Sequence, residues 1–88
     1  MNTERKSHTH LYKCLGDVVA FRRKKLQMSQ QELAEKAGID RAFISNIEQG
    51  KRNPSFGAVA NLAYGLQIRY SRLISKCEEC MNSAALQS

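Results

Sequence analysis

Eighty-eight residues make one small domain, enough for a single layer of packed helices but not for a catalytic cleft between two subdomains. Apolar residues form 42% of the chain with only 7% aromatic and no Trp, which fits a small all-helical core of Leu, Ile, Val and Ala. The 14 Lys and Arg against 8 Asp and Glu leave a charge of +6, and that excess favours a polyanion as partner, nucleic acid before membrane.

Three cysteines, an odd number, with no signal peptide point to a reducing compartment. No apolar run approaches the ~20 residues needed to cross a bilayer. A cytoplasmic protein with no membrane contact is expected.

In chain order, residues 1–10 are polar and carry Glu4, Arg5, Lys6, His8 and His10 without apolar periodicity. They read as a flexible arm, able to reach a groove or phosphate, or as a frayed extension of the first helix. Residues 11–26 read as helix one, with Leu11, Leu15, Val18 or Val19, Phe21 and Leu26 on its apolar face. Arg22, Arg23, Lys24 and Lys25 crowd its last turn, where cations suit the negative end of the helix dipole.

Ser29 and Glu32 then form a capping box, each side chain able to satisfy a backbone N–H that the helix leaves orphaned. Leu33, Ala34 and Ala37 supply a narrow apolar stripe. Gly38 stands where a left-handed residue ends the helix, and Ile39 is free to be buried in the turn. Asp40 is placed to cap the next helix, residues 41–49, whose Phe43, Ile44 and Ile47 face inward. Its other face holds Arg41, Ala42, Ser45, Asn46 and Gln49, all polar or small and none committed to a core. A cap, a helix, a glycine turn and a second helix with a free polar face predict a helix-turn-helix.

The loop Gly50-Lys51-Arg52-Asn53-Pro54-Ser55 is dense in turn residues and positive charge. Pro54 keeps its predecessor out of a helix and Ser55 can cap helix four, marked by Phe56, Val59, Leu62, Ala63 and Leu66. Ile68 fills the core after the next turn. Tyr70, Leu73 and Ile74 open helix five, which runs to about residue 81, and residues 82–88 are expected to be a disordered tail. The expected fold is all-α: a compact five-helix bundle over residues 11–81 with the helix-turn-helix at its centre.

Gln30-Gln31-Glu32-Leu33-Ala34, then Ala37-Gly38-Ile39, then Ile44-Ser45, Ile47-Glu48 and Gly50-Lys51-Arg52-Asn53-Pro54-Ser55 resemble the XRE family, the helix-turn-helix regulators of the phage Cro and lambda-repressor type. The likeness runs from about residue 15 to about residue 74. It implies an Arg–Glu pair between helix one and the end of the recognition helix, at Arg23 and Glu48. It also implies base-reading side chains at Arg41, Ala42, Ser45 and Asn46. Two positions depart from the family pattern: Arg22 stands where an apolar residue is usual, and Gln67 where a glycine usually ends helix four. The Arg22 stem is expected along the core with its head in water.

Side-chain chemistry agrees with those positions. Arg41 can donate twice to a guanine, Asn46 can pair with an adenine, Ala42 can approach a thymine methyl, and Ser45 can address base or phosphate. An ion pair to Asp40 or Glu35 is the structural alternative for Arg41. Gln30, at a helix N-terminus, and Lys51, Arg52 and Asn53, beyond the recognition helix, are expected to hold phosphates, unless the last three are simply a solvated loop. One reading helix covers too few base pairs to be specific, so a homodimer on a palindrome is expected, with Tyr70, Leu73, Ile74 and Cys77 as its interface unless that stripe is core.

Cys77-Glu78-Glu79-Cys80 places two thiols on one helix face, where they could bind zinc with His8, His10 or Cys14, or form a redox pair. No second Cys-x-x-Cys exists, and the flanking acids raise a thiol pKa, so buried or idle cysteines are preferred. No metal, no cofactor and no enzymatic activity are expected. The predicted function is sequence-specific binding of double-stranded DNA to regulate transcription, by a phage-type repressor, a restriction–modification controller or an antitoxin-like autoregulator. The alternative is a module of the same fold that binds a protein partner, with DNA secondary.

Overall fold

The computed structural model describes residues 8–87, which form five helices and no strand: α1 (Thr9–Lys25), α2 (Gln30–Ala37), α3 (Arg41–Glu48), α4 (Phe56–Gly65) and α5 (Tyr70–Gln87). The expected N-terminal arm lies outside the described residues for positions 1–7, while Thr9 and His10 form the first turn of α1. At the other end α5 runs unbroken through Gln87, so the expected disordered tail is helix instead. The segment after Met81 contains no Gly or Pro to stop a helix already nucleated by its packed first half, and its Ala84, Ala85 and Leu86 are good helix formers.

The core is aliphatic. Val19 from α1, Leu33 from α2, Ile44 and Ile47 from α3, Leu62 and Leu66 from α4 and its end, and Leu73 from α5 are all sealed from solvent. Among the described residues no fully buried residue is polar or charged. Phe21, expected on the inner face of α1, is instead 69% exposed. It lies two residues past Val19, about 200° around the helix, while the inward stripe is Leu15, Val19 and Arg22.

Arg22 replaces an apolar contact in an unexpected way. Its Nε donates to the carbonyl of Leu66 at 2.9 Å and its guanidinium to the carbonyl of Gln67 at 3.0 Å. The head, still partly in water, caps the carbonyl end of α4, which suits the dipole there. Gln67, in the place where family members carry glycine, keeps the left-handed backbone with φ of 57°.

Close backbone approach fixes α1 against α3. A Cβ built on Gly16 would meet the carbonyl of Ile47 and lie 2.8 Å from that of Glu48, so only glycine lets α1 seat on the end of the recognition helix.

Candidate nucleic-acid interface

The helix-turn-helix is assembled by the local chemistry that its sequence implies. The Ser29 hydroxyl accepts from the Glu32 N–H at 3.0 Å, and the Glu32 carboxylate accepts from the Ser29 N–H at 2.8 Å. Hydrogen bonding from the Ser29 backbone N–H, then from the Ser29 side chain, holds the Glu32 carboxyl below its ordinary range. Gly38 takes the left-handed conformation with φ of 68°, where a side chain would be strained. Asp40 occupies the N-cap of α3 with extended backbone, but its carboxylate accepts no capping hydrogen bond, contrary to expectation. Only its carbonyl takes part, accepting from Phe43 and Ile44.

Ile44 and Ile47 anchor α3 in the core with Phe43 half-buried beside them. Arg41, Ala42 and Gln49 are exposed, and Ser45 and Asn46 are partly so. One face of α3 is thus structural and the other is open. Arg41 pairs with neither Asp40 nor Glu35. Its guanidinium donates to Gln30 Oε1 at 3.2 Å, and Gln30 in turn donates through Nε2 to Glu48 Oε1 at 3.0 Å.

Glu48 is the hub of this chain. Arg23 grips it with two hydrogen bonds, Nε to Oε2 at 2.7 Å and Nη2 to Oε1 at 2.9 Å, and also donates to the Met28 carbonyl at 2.8 Å. The pair implied by the family resemblance is therefore present and nearly buried, with side chains 11% and 8% exposed. Hydrogen bonding to Glu48 raises the Arg23 pKa, outweighing desolvation. A line of side chains runs from α1 through the end of α3 and the start of α2 to the first residue of the open face. Gln30 spends its carbonyl and one N–H within this line and keeps one amide N–H for an external acceptor.

Ser45 accepts from Gln49 Nε2 at 3.0 Å, one turn along the same face, and its own hydroxyl hydrogen stays free to donate. Gln49 is the residue that sequence reasoning left out of the site, although its i,i+4 spacing from Ser45 marks it. Beyond the helix, Lys51, Arg52 and Asn53 are exposed. The Lys51 N–H is held by the Asn46 carbonyl at 2.9 Å, and the Arg52 guanidinium stacks on Phe43, 4.6 Å from the ring centre. The Lys51 backbone and the Arg52 guanidinium are thereby fixed beside α3.

The expected dimer stripe divides in two. Leu73 and Cys77 are 0% and 2% exposed and belong to the protomer's own core, so they cannot serve as an interface. Tyr70 and Ile74 are exposed. The stripes are each four residues apart and displaced by one position, about 100° around α5, which apolar spacing alone does not resolve. Exposed Phe56 joins the outer stripe by an edge-to-face contact with Tyr70, ring centres 5.4 Å apart. Cys80 forms a disulfide with Cys14 and not with Cys77, and Cys77 is a free buried thiol whose pKa burial pushes up.

A capped helix, a left-handed glycine turn and a second helix open on its polar side, flanked by a cationic loop, define a helix-turn-helix regulator. The helix-turn-helix family pattern matches residues 19–73, and the chain belongs to that family, in its XRE branch. It is 38% identical over 59 residues to the control protein C.MunI of a Mycoplasma species, covering 67% of this chain and 80% of that protein. The restriction–modification controller C.AhdI from Aeromonas hydrophila superposes with a TM-score of 0.68 at 31% identity, covering 70% of this chain and 94% of its own. The controller C.Esp1396I, in a structure bound to a 19 base pair DNA duplex, superposes with a TM-score of 0.74 at 25% identity over 81% of this chain and 95% of its own. Among the described residues no helix is long and apolar enough to cross a membrane.

Proposed function

We propose that this chain is a sequence-specific, double-stranded DNA-binding transcriptional regulator of the controller type, acting in the cytoplasm as a homodimer and performing no enzymatic reaction. The observation that carries the reading is the division of α3, with Ile44 and Ile47 committed to the core and Arg41, Ala42, Ser45 and Asn46 left outside it. A helix so divided fits the major groove, about 12 Å wide, with the open side chains against base edges. In this reading Arg41 reads a guanine, Asn46 an adenine and Ala42 a thymine methyl, while Ser45 and Gln49 act together. Gln30, Lys51, Arg52 and Asn53 hold the phosphates on either side. Tyr70, Ile74 and Phe56 join two protomers on a palindromic site. The kinship with control proteins, matched over most of their own length, supports the controller role.

Selection of duplexes from a random pool by the purified protein tests this reading. The expected winners share a two-fold symmetric site with half-sites about one helical turn (~34 Å) apart. Enrichment of no sequence, or of an asymmetric one, overturns it.

A further inference from the structure

The disulfide joins Cys14 to Cys80, 66 positions apart, and ties α1 to the second half of α5. No buried core residue follows Cys77 among the described side chains, so Cys80 is the last firm attachment of α5. The two sulfurs differ in access. Cys14 is 1% exposed, whereas Cys80 is half-buried and lines a groove of about 340 Å³ between α1 and α5. Arg22, Lys25 and Lys76 also line this groove. Its two acids have partners of their own, Asp17 with Lys13 at 3.5 Å and Glu79 with Arg72 at 3.8 Å, so the groove presents net positive charge beside the sulfur.

We propose that Cys80 is a reversible thiol-exchange site, open to an anionic low-molecular-weight disulfide, through which oxidation staples the second half of α5 to α1. In the reduced chain the Cys80 thiolate attacks one sulfur of the small disulfide. A mixed disulfide forms and one small thiolate leaves. The Cys14 thiolate then attacks the Cys80 sulfur and expels the second small thiolate, closing the Cys14–Cys80 bond. Two protein thiols are oxidised, one small disulfide is reduced to two thiols, and the two protons leave with them. Reduction runs the same steps backwards, beginning at the accessible Cys80 sulfur. Cys77 stays out of the exchange because its sulfur is sealed in the core and is not joined to Cys80, whereas the equally buried Cys14 is in bonding position with the Cys80 sulfur.

The full chain is equilibrated with graded ratios of reduced to oxidised glutathione, quenched in acid, alkylated and mapped by mass spectrometry. A Cys14–Cys80 cross-link is expected in the wild type and in Cys77→Ser, and none in Cys80→Ser. Backbone hydrogen exchange in residues 80–87 is expected to slow by about tenfold on cross-linking, since the staple suppresses local opening of that segment. A Cys77–Cys80 link, no link at any ratio, or a link that leaves exchange in α5 unchanged overturns the proposal. Cys80→Ser alters a half-buried position only, so loss of the cross-link in that variant is read with the sealed core unchanged.

Discussion

Arg41 is the residue on which sequence discrimination should turn. Arg41→Ala is expected to cost about 1–3 kcal/mol on the selected duplex while leaving binding to unrelated DNA nearly unchanged, as measured by fluorescence anisotropy. Gln30 touches both Arg41 and Glu48, so Gln30→Ala should weaken discrimination at the same base and not at the one facing Asn46. Glu48 is a different case, because its removal leaves the nearly buried Arg23 guanidinium without its counter-charge. Glu48→Gln is expected to destabilise the fold by about 3 kcal/mol in urea titration. That Arg41, Ala42, Ser45 and Asn46 stay outside the core was legible in the sequence because their face carries no large apolar side chain. The line linking Arg41 to Arg23 was not, since its members are spread over residues 23–48 and meet only after folding.

At the scale of the helices, short-range chemistry decided how much could be foreseen. The capping box, the Gly38 turn and the Ser55 cap act over three or four residues, and each stands where the sequence puts it. The Arg22 clasp on α4 spans 44 residues and the disulfide 66, and nothing local announces either. Gly16 was also silent, for its role lies in the carbonyls of α3 that it lets approach. Gly16→Ala is expected to cost about 1–3 kcal/mol by thermal unfolding, despite the better helix propensity of alanine, because the new methyl meets backbone that cannot yield. The capping box adds a pH dependence. Glu32 has a folded pKa below its unfolded one, so its contribution is complete above the usual carboxylate range and is lost as pH falls through the lowered folded value. Urea midpoints of wild type and Glu32→Gln should therefore differ at pH 7 and converge in strong acid.

For the whole molecule, the outer stripe of α5 with Phe56 is the surface that asks for a partner. Ile74→Asp is expected to yield a folded monomer in sedimentation with weakened binding to the symmetric duplex, whereas Leu73→Asp should unfold the chain. A monomer in both cases would return Leu73 to the interface, and a dimer in the Ile74 variant would remove α5 from it. The division of α3 carries a wider consequence. Since Ala42, Ser45 and Asn46 contribute nothing to the sealed interior, their identities can be rewritten without disturbing the scaffold. New target preferences should be reachable by exchanging a handful of outward letters. The limit on that freedom is set at Arg41, whose replacement must also suit the amide of Gln30.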